Sequence, residues 1–148
     1  MKIVVIEPNT RTVPYTVLRV TGYVAGFFSL LVCILMVANN VLAHVPDIND
    51  FAAGFATLLK PDGVVVVEAP YLKDLLDHVE FDTIYHEHLC YFSLTALTLL
   101  FGQQGLEIFD VERLKIHGGS LRIHAAKAGT TSVKSSVHDL LEEEATWV

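Results

Sequence analysis

Residues 20–38 (VTGYVAGFFSLLVCILMVA) run for nineteen positions without a charge. In a chain of 148 residues, that run admits two folds. It approaches the ~20 apolar residues that a membrane-spanning helix needs. It also reads as two buried strands of a parallel sheet with little between them, because strands covered on both faces are continuous hydrophobic runs. Gly22 and Gly26 punctuate it, and Asn39-Asn40 follow without a basic flank. This favours strands over residues 20–28 and 34–38, with a membrane anchor through residues 20–38 as the alternative. A secretory leader would lie nearer the start and end in a small-residue cleavage site, so that reading fits poorly.

Around this run the pattern is α/β. Residues 2–6 (KIVVI) form a short buried-strand pattern ending at Glu7, and nucleotide-binding α/β folds use an acid at such a strand end to hold a ribose. Residues 10–19 are a weak helix, interrupted by Val13-Pro14. Asn39 and Asn40 leave the 34–38 strand, and His44 follows on the edge where open α/β sheets place ligands. Asp47 or Asn49 can cap a helix over residues 50–59, whose Phe51, Phe55, Leu58 and Leu59 recur at helical spacing.

Lys60-Pro61-Asp62-Gly63 reads as a turn, and the four valines 64–67 as a strand covered on both faces. A short helix over residues 71–78 follows. Ser93 caps a helix over residues 94–104, and Gly105 stops it. Residues 106–114 and 120–126 read as an antiparallel pair. Residues 136–147 read as a solvated helix with Glu142, Glu143 and Glu144 exposed.

Hydrophobic residues make up 52% of the chain and charged ones 18%, with a net charge of -7. That balance disfavours a nucleic-acid partner, since phosphate binding needs clustered Lys and Arg. Cys33 and Cys90 are far apart and form no disulfide framework, which suits a reducing, cytoplasmic compartment.

Chemistry concentrates in residues 81–91 (FDTIYHEHLCY), which bring Tyr85, His86, Glu87, His88 and Cys90 together between two apolar segments. Proton-moving groups set in a largely apolar chain mark a candidate site. The bland alternative is a polar surface turn anchored by Tyr85 and Tyr91. A metal is not expected: His86 and His88 are two apart, unlike the HExxH spacing that puts two imidazoles on one helical face, and no CxxC exists.

The segments NNVLAHVPDINDF, LLKPDGVVVVEAP, FDTIYHEHLCYFSLTAL, GLEIFDVERL and HGGSLRIHAA occur in that order. This series closely resembles the sugar C-methyltransferases, class I S-adenosylmethionine-dependent enzymes that methylate a carbon next to the ketone of nucleotide-linked deoxysugars. The match runs over about residues 39–128, and YHEH with HGGSLR carries most of its specificity; residues 2–28 match more loosely.

The resemblance implies a Rossmann-like seven-stranded methyltransferase sheet whose last strand is antiparallel. It implies S-adenosylmethionine as cofactor, with Glu7, Asn39 and Asn40 lining its pocket, and a small-molecule keto sugar as substrate. His88 would be the base, Glu87 its orienting carboxylate, and Tyr85 with His44 donors to the developing enolate.

The family's first strand, its glycine-rich cofactor loop and a zinc-binding segment would precede Lys2, and a sugar-holding domain would follow Trp147. The expectation is therefore a fragment with an incomplete sheet, inactive as given. Residues 1–38 would be a remnant, 39–128 the catalytic half, and 129–148 a linker into a further domain. A non-catalytic sugar-binding or accessory fragment is the second functional alternative, beside the membrane anchor.

Overall fold

A computed structural model of the chain describes residues 2–6 and 33–147. The strand expected over residues 20–28 and the acid Glu7 lie outside those residues. Five strands form one sheet: β1 (Lys2–Ile6), β2 (Cys33–Asn39), β3 (Leu59–Pro70), β4 (Leu106–Leu114) and β5 (Ser120–Lys127). Their spatial order is β1-β2-β3-β5-β4. The first three run parallel, and β5 runs antiparallel to both β3 and β4. This is an incomplete Rossmann-like sheet, with its last strand reversed as expected.

The end of the apolar run is a strand. Residues 33–39 pair with β1 on one side and β3 on the other, Met36 opposite Val65 and Ala38 opposite Val67. One continuous helix over residues 20–38 is therefore ruled out. No described helix is long and apolar enough to cross a membrane.

The helices are α1 (Ile48–Leu58), α2 (Leu72–Asp77), α3 (Leu94–Gln103) and α4 (Ser135–Trp147). Asp47 caps α1 by accepting from the Asp50 N–H at 2.9 Å. Ser93 caps α3 through the Ala96 N–H at 3.1 Å. Each cap satisfies one of the amide donors that a helix start leaves without an intrahelical partner.

One face of the sheet makes the core. Met36, Ala38, Val65, Val67, Ile123 and Ala125 are buried against Ala52 and Phe55 of α1, Leu97 and Phe101 of α3, and Val137 and Leu140 of α4. Burying each large side chain there stabilises the fold by about 1.5–3 kcal/mol. Cover on both faces of the valine strand, as expected, holds fully on this face; Val64 and Val66, pointing the other way, are half-buried.

Two further expectations change. Lys60-Pro61-Asp62-Gly63 lies inside β3 rather than in a free turn. The pairing jumps from Leu59 opposite Cys33 to Val64 opposite Leu35, so the four residues are taken up as an irregularity within the ladder. Gly63 permits this, because a Cβ there would stand 2.7 Å from the Cys33 carbonyl oxygen.

The second concerns α4, which is not simply solvated. Glu144, expected outside, is buried and accepts from the Leu94 N–H at 2.6 Å and the Thr95 N–H at 2.8 Å. A carboxylate on the free amides of a helix start is favourable in both hydrogen bonding and dipole.

Candidate active site

The parallel strands β2 and β3 end together, and the segments leaving them meet at that edge. Leu42–His44 is a short 3-10 turn anchored by buried Leu42 and Ala43, and it leaves the half-buried His44 imidazole beside residues 83–89. Two bonds join these distant segments. His44 Nδ1 lies 2.8 Å from the Glu87 carbonyl oxygen, and the Leu89 N–H donates to the Ala43 carbonyl at 2.8 Å.

Three of the expected residues come together. The His44 and His88 rings have centroids 4.9 Å apart, and those of Tyr85 and His88 are 4.4 Å apart. The Tyr85 hydroxyl is 3.2 Å from His88 Nε2. All three line one cavity of about 440 Å³ together with Asn40, Glu80, Asp82, Thr83 and His117.

Hydrogen bonding fixes the tautomers. His88 Nδ1 is 2.9 Å from the Thr83 carbonyl oxygen, as His44 Nδ1 is from that of Glu87. A carbonyl only accepts, so both Nδ1 atoms carry hydrogen. In the neutral rings each Nε2 then holds a lone pair, and the Tyr85 hydroxyl donates to that of His88.

Glu87 stands elsewhere than expected. Its carboxylate is exposed beside His86, whose Nε2 is 4.0 Å away, and does not line the cavity. The group orienting His88 is the Thr83 carbonyl, which also accepts from the Tyr91 hydroxyl at 3.1 Å. Glu87 contributes its backbone oxygen to His44 instead. Alternation along an extended segment turns neighbouring side chains apart, which separates Glu87 from His88.

Asn40 lines the cavity from the end of β2, with φ at 52°. Its backbone N–H donates to the Glu68 carbonyl at 2.8 Å, and its carboxamide reaches the buried Glu68 carboxylate at 3.5 Å. Arg122 balances that carboxylate through Nη2 at 3.0 Å. Asn39 is exposed at the same strand end and does not line the cavity.

Sequence reasoning missed Glu80, Asp82, Thr83 and His117. The signal for His117 was present in the Gly-Gly that follows it. His117, Gly118 and Gly119 take φ of 51°, 75° and 126°, and a Cβ on Gly119 would lie 2.3 Å from that of Asp74. Two adjacent glycines let the turn close against α2 and carry His117 to the cavity. Among the described residues, no group of three or more His, Cys, Asp or Glu is placed to hold a metal ion.

Comparison with known proteins agrees with this architecture. Residues 31–111 match the family described as a methyltransferase domain. The C-methyltransferase NovU of Streptomyces niveus is 44% identical over 111 residues, covering 74% of this chain. The chain spans 26% of that relative's length.

Among solved structures, a SAM-dependent methyltransferase of Thermotoga maritima superposes with a TM-score of 0.52 at 16% identity, over 64% of this chain and 55% of the other. The mitomycin 7-O-methyltransferase MmcR gives a TM-score of 0.52 at 16% identity, over 74% and 38%. A chain from the complex of the Haloferax volcanii Trm112 methyltransferase activator with a methyltransferase gives 0.53 at 12%, over 64% and 54%. These likenesses show a shared fold. With more than half of its residues inside the family's match, the chain belongs to the methyltransferase-domain family.

Proposed function

We propose that the chain is the substrate-facing part of an S-adenosylmethionine-dependent methyltransferase acting on a carbon next to the ketone of a nucleotide-linked deoxysugar. The observation that carries this reading is the Tyr85–His88–His44 group in one cavity at the carboxyl edge of the parallel strands. The 44% identity to a C-methyltransferase supports carbon as the acceptor atom. The two free thiols fit a cytoplasmic setting.

Asn39 and Asn40 would hold the cofactor at the end of β2. The residues fit: Asn40 offers a neutral donor–acceptor carboxamide to the cavity, fixed from behind by buried Glu68. Such a group suits the hydroxyls and amines of an adenosyl ligand. Bound there, S-adenosylmethionine supplies an electrophilic methyl group.

The chain's own side chains handle the proton. A carbon next to a ketone becomes nucleophilic when its proton leaves and the electron pair moves onto the carbonyl oxygen. His88 Nε2, kept unprotonated by the Thr83 carbonyl on Nδ1, takes that proton. Tyr85 turns its hydroxyl from His88 to the developing oxyanion. His44 Nε2 accepts in the neutral ring, so it can donate to the oxyanion only when doubly protonated. Glu87 positions His44 through its carbonyl.

Solvent deuterium entering the carbon beside the ketone of a nucleotide-linked keto-deoxysugar tests this step by NMR without cofactor. Wash-in that disappears in His88→Ala supports the assignment. Wash-in at an unchanged rate in that variant removes His88 from the role. Sugar binding with neither wash-in nor methyl transfer would favour an accessory binding fragment.

A further inference from the structure

The cavity's charge is unusual for a site that would meet a nucleotide sugar. Glu80 and Asp82 line it, together with His44, His88 and His117, and no lysine or arginine does. The nearby guanidiniums are engaged: Arg122 faces Glu68 and Glu112, and Arg113 faces Asp74 and Glu143. A diphosphate placed among these groups would meet carboxylates with no cation to balance it, and like charges in a partly desolvated site repel.

Glu80 is held in place. Its backbone N–H donates to the Leu75 carbonyl at 2.9 Å, and its carbonyl accepts from the Thr83 hydroxyl at 2.8 Å. The side chain lies against Gly118, where a Cβ would come within 3.0 Å of its Cγ and Cδ. Its carboxylate makes no hydrogen bond or ion pair among the described residues, while the buried Glu68, Asp74 and Glu144 all do. A half-buried, positioned carboxylate with unused acceptor capacity is suited to a ligand's donors.

We propose that Glu80 determines specificity by accepting a hydrogen bond from a hydroxyl or amino substituent of the sugar ring, and that the cavity turns away anionic groups. The diphosphate then lies outside this cavity, with the ring inside it. This rests on the keto-sugar reading of the site, and deepens it.

The test is ligand-observed NMR titration of the 148-residue chain with a methyl glucoside, its amino-deoxy analogue and a glucose phosphate. The phosphate should bind most weakly. An amino ligand should lose about tenfold or more in affinity in Glu80→Gln, the scale of a charge-assisted hydrogen bond. A hydroxyl ligand should lose about threefold, the scale of a neutral one, and the phosphate should gain.

An equal, small loss for the amino and neutral glycosides identifies a hydroxyl as the recognised donor. Glu80→Asp, which keeps the charge and shortens the reach, carries the same test if Glu80→Gln does not fold. The proposal is overturned if the phosphate binds as well as the neutral glycoside. It is overturned equally if no probe binds, or if neither variant changes affinity. These probes carry no ketone. Selectivity without deuterium wash-in on the keto sugar would sink the proton-transfer reading alone, and wash-in without selectivity would sink only this one.

Discussion

The paired carboxylates around α2 and α3 and the polar groups of residues 80–91 use the same residue types in opposite ways. In the first region every buried acid is matched. Glu68 meets Arg122, Asp74 meets Arg113, and Glu144 meets two amides and the Thr95 hydroxyl at 2.5 Å. In the second, side chains are tied mainly to backbone carbonyls, and their reactive atoms face a cavity.

The difference teaches where polar groups serve the fold and where they are held for something else. A matched buried acid costs desolvation that its partners offset. An imidazole fixed at one nitrogen keeps the other available.

The largest effect should come from removing a group in the second region. His88→Ala is expected to slow deuterium wash-in by about 100- to 10,000-fold, the range of general acid–base contributions. Its urea midpoint should move little, because only carbonyl and phenol contacts at a half-exposed ring are lost. An equal collapse of stability would make the cluster structural and erase the contrast.

Glu144→Ala should do the reverse. Leaving the Leu94 and Thr95 amides without their acceptor is expected to cost about 3 kcal/mol, read by urea denaturation. The His88 imidazole chemical shift should stay where it is, since Glu144 serves the start of α3. A shift there would show that the regions are not independent.

Gly119→Ala probes the seam between them. The left-handed backbone and the 2.3 Å approach to Asp74 Cβ mean that the turn must move. The expected cost is about 1–3 kcal/mol, with broadening of the His117 resonance because the turn carries it to the cavity. Unchanged stability and an unchanged spectrum would show that the glycine turn does not couple α2 to the cavity.

The smallest effect concerns pH. Lys134 first, then Ser136, holds the Asp110 carboxyl below its ordinary value, with bonds of 2.5 and 2.8 Å. A lowered folded value means that the stabilisation is present above the unfolded carboxylate range and fades as pH falls through the folded one. With Lys134 largely exposed, it should amount to less than about 1 kcal/mol. Lys134→Met should remove that part of the acid dependence of the melting temperature, and an identical pH profile would show that the pair contributes nothing measurable.

The sequence by itself determined the elements whose causes are local. Four consecutive valines, the second half of the apolar run, and the caps at Asp47 and Ser93 each act within a few residues. Their strands and helices could therefore be placed to within a few positions. The YHEH stretch was likewise visible as a concentration of titratable groups.

Tertiary structure alone decided which of those groups meet. His44 reaches its partner across 43 residues, because parallel β2 and β3 release their following segments at one edge. Backbone alternation then put His88 on the Thr83 carbonyl and sent the Glu87 carboxylate outward. The same logic explains Glu144, which local sequence reads as one acid of a solvated run. Its burial depends on α3 beginning opposite α4, fifty residues away in the chain. Hydrogen bonds of that span follow from packing, and no local pattern encodes them.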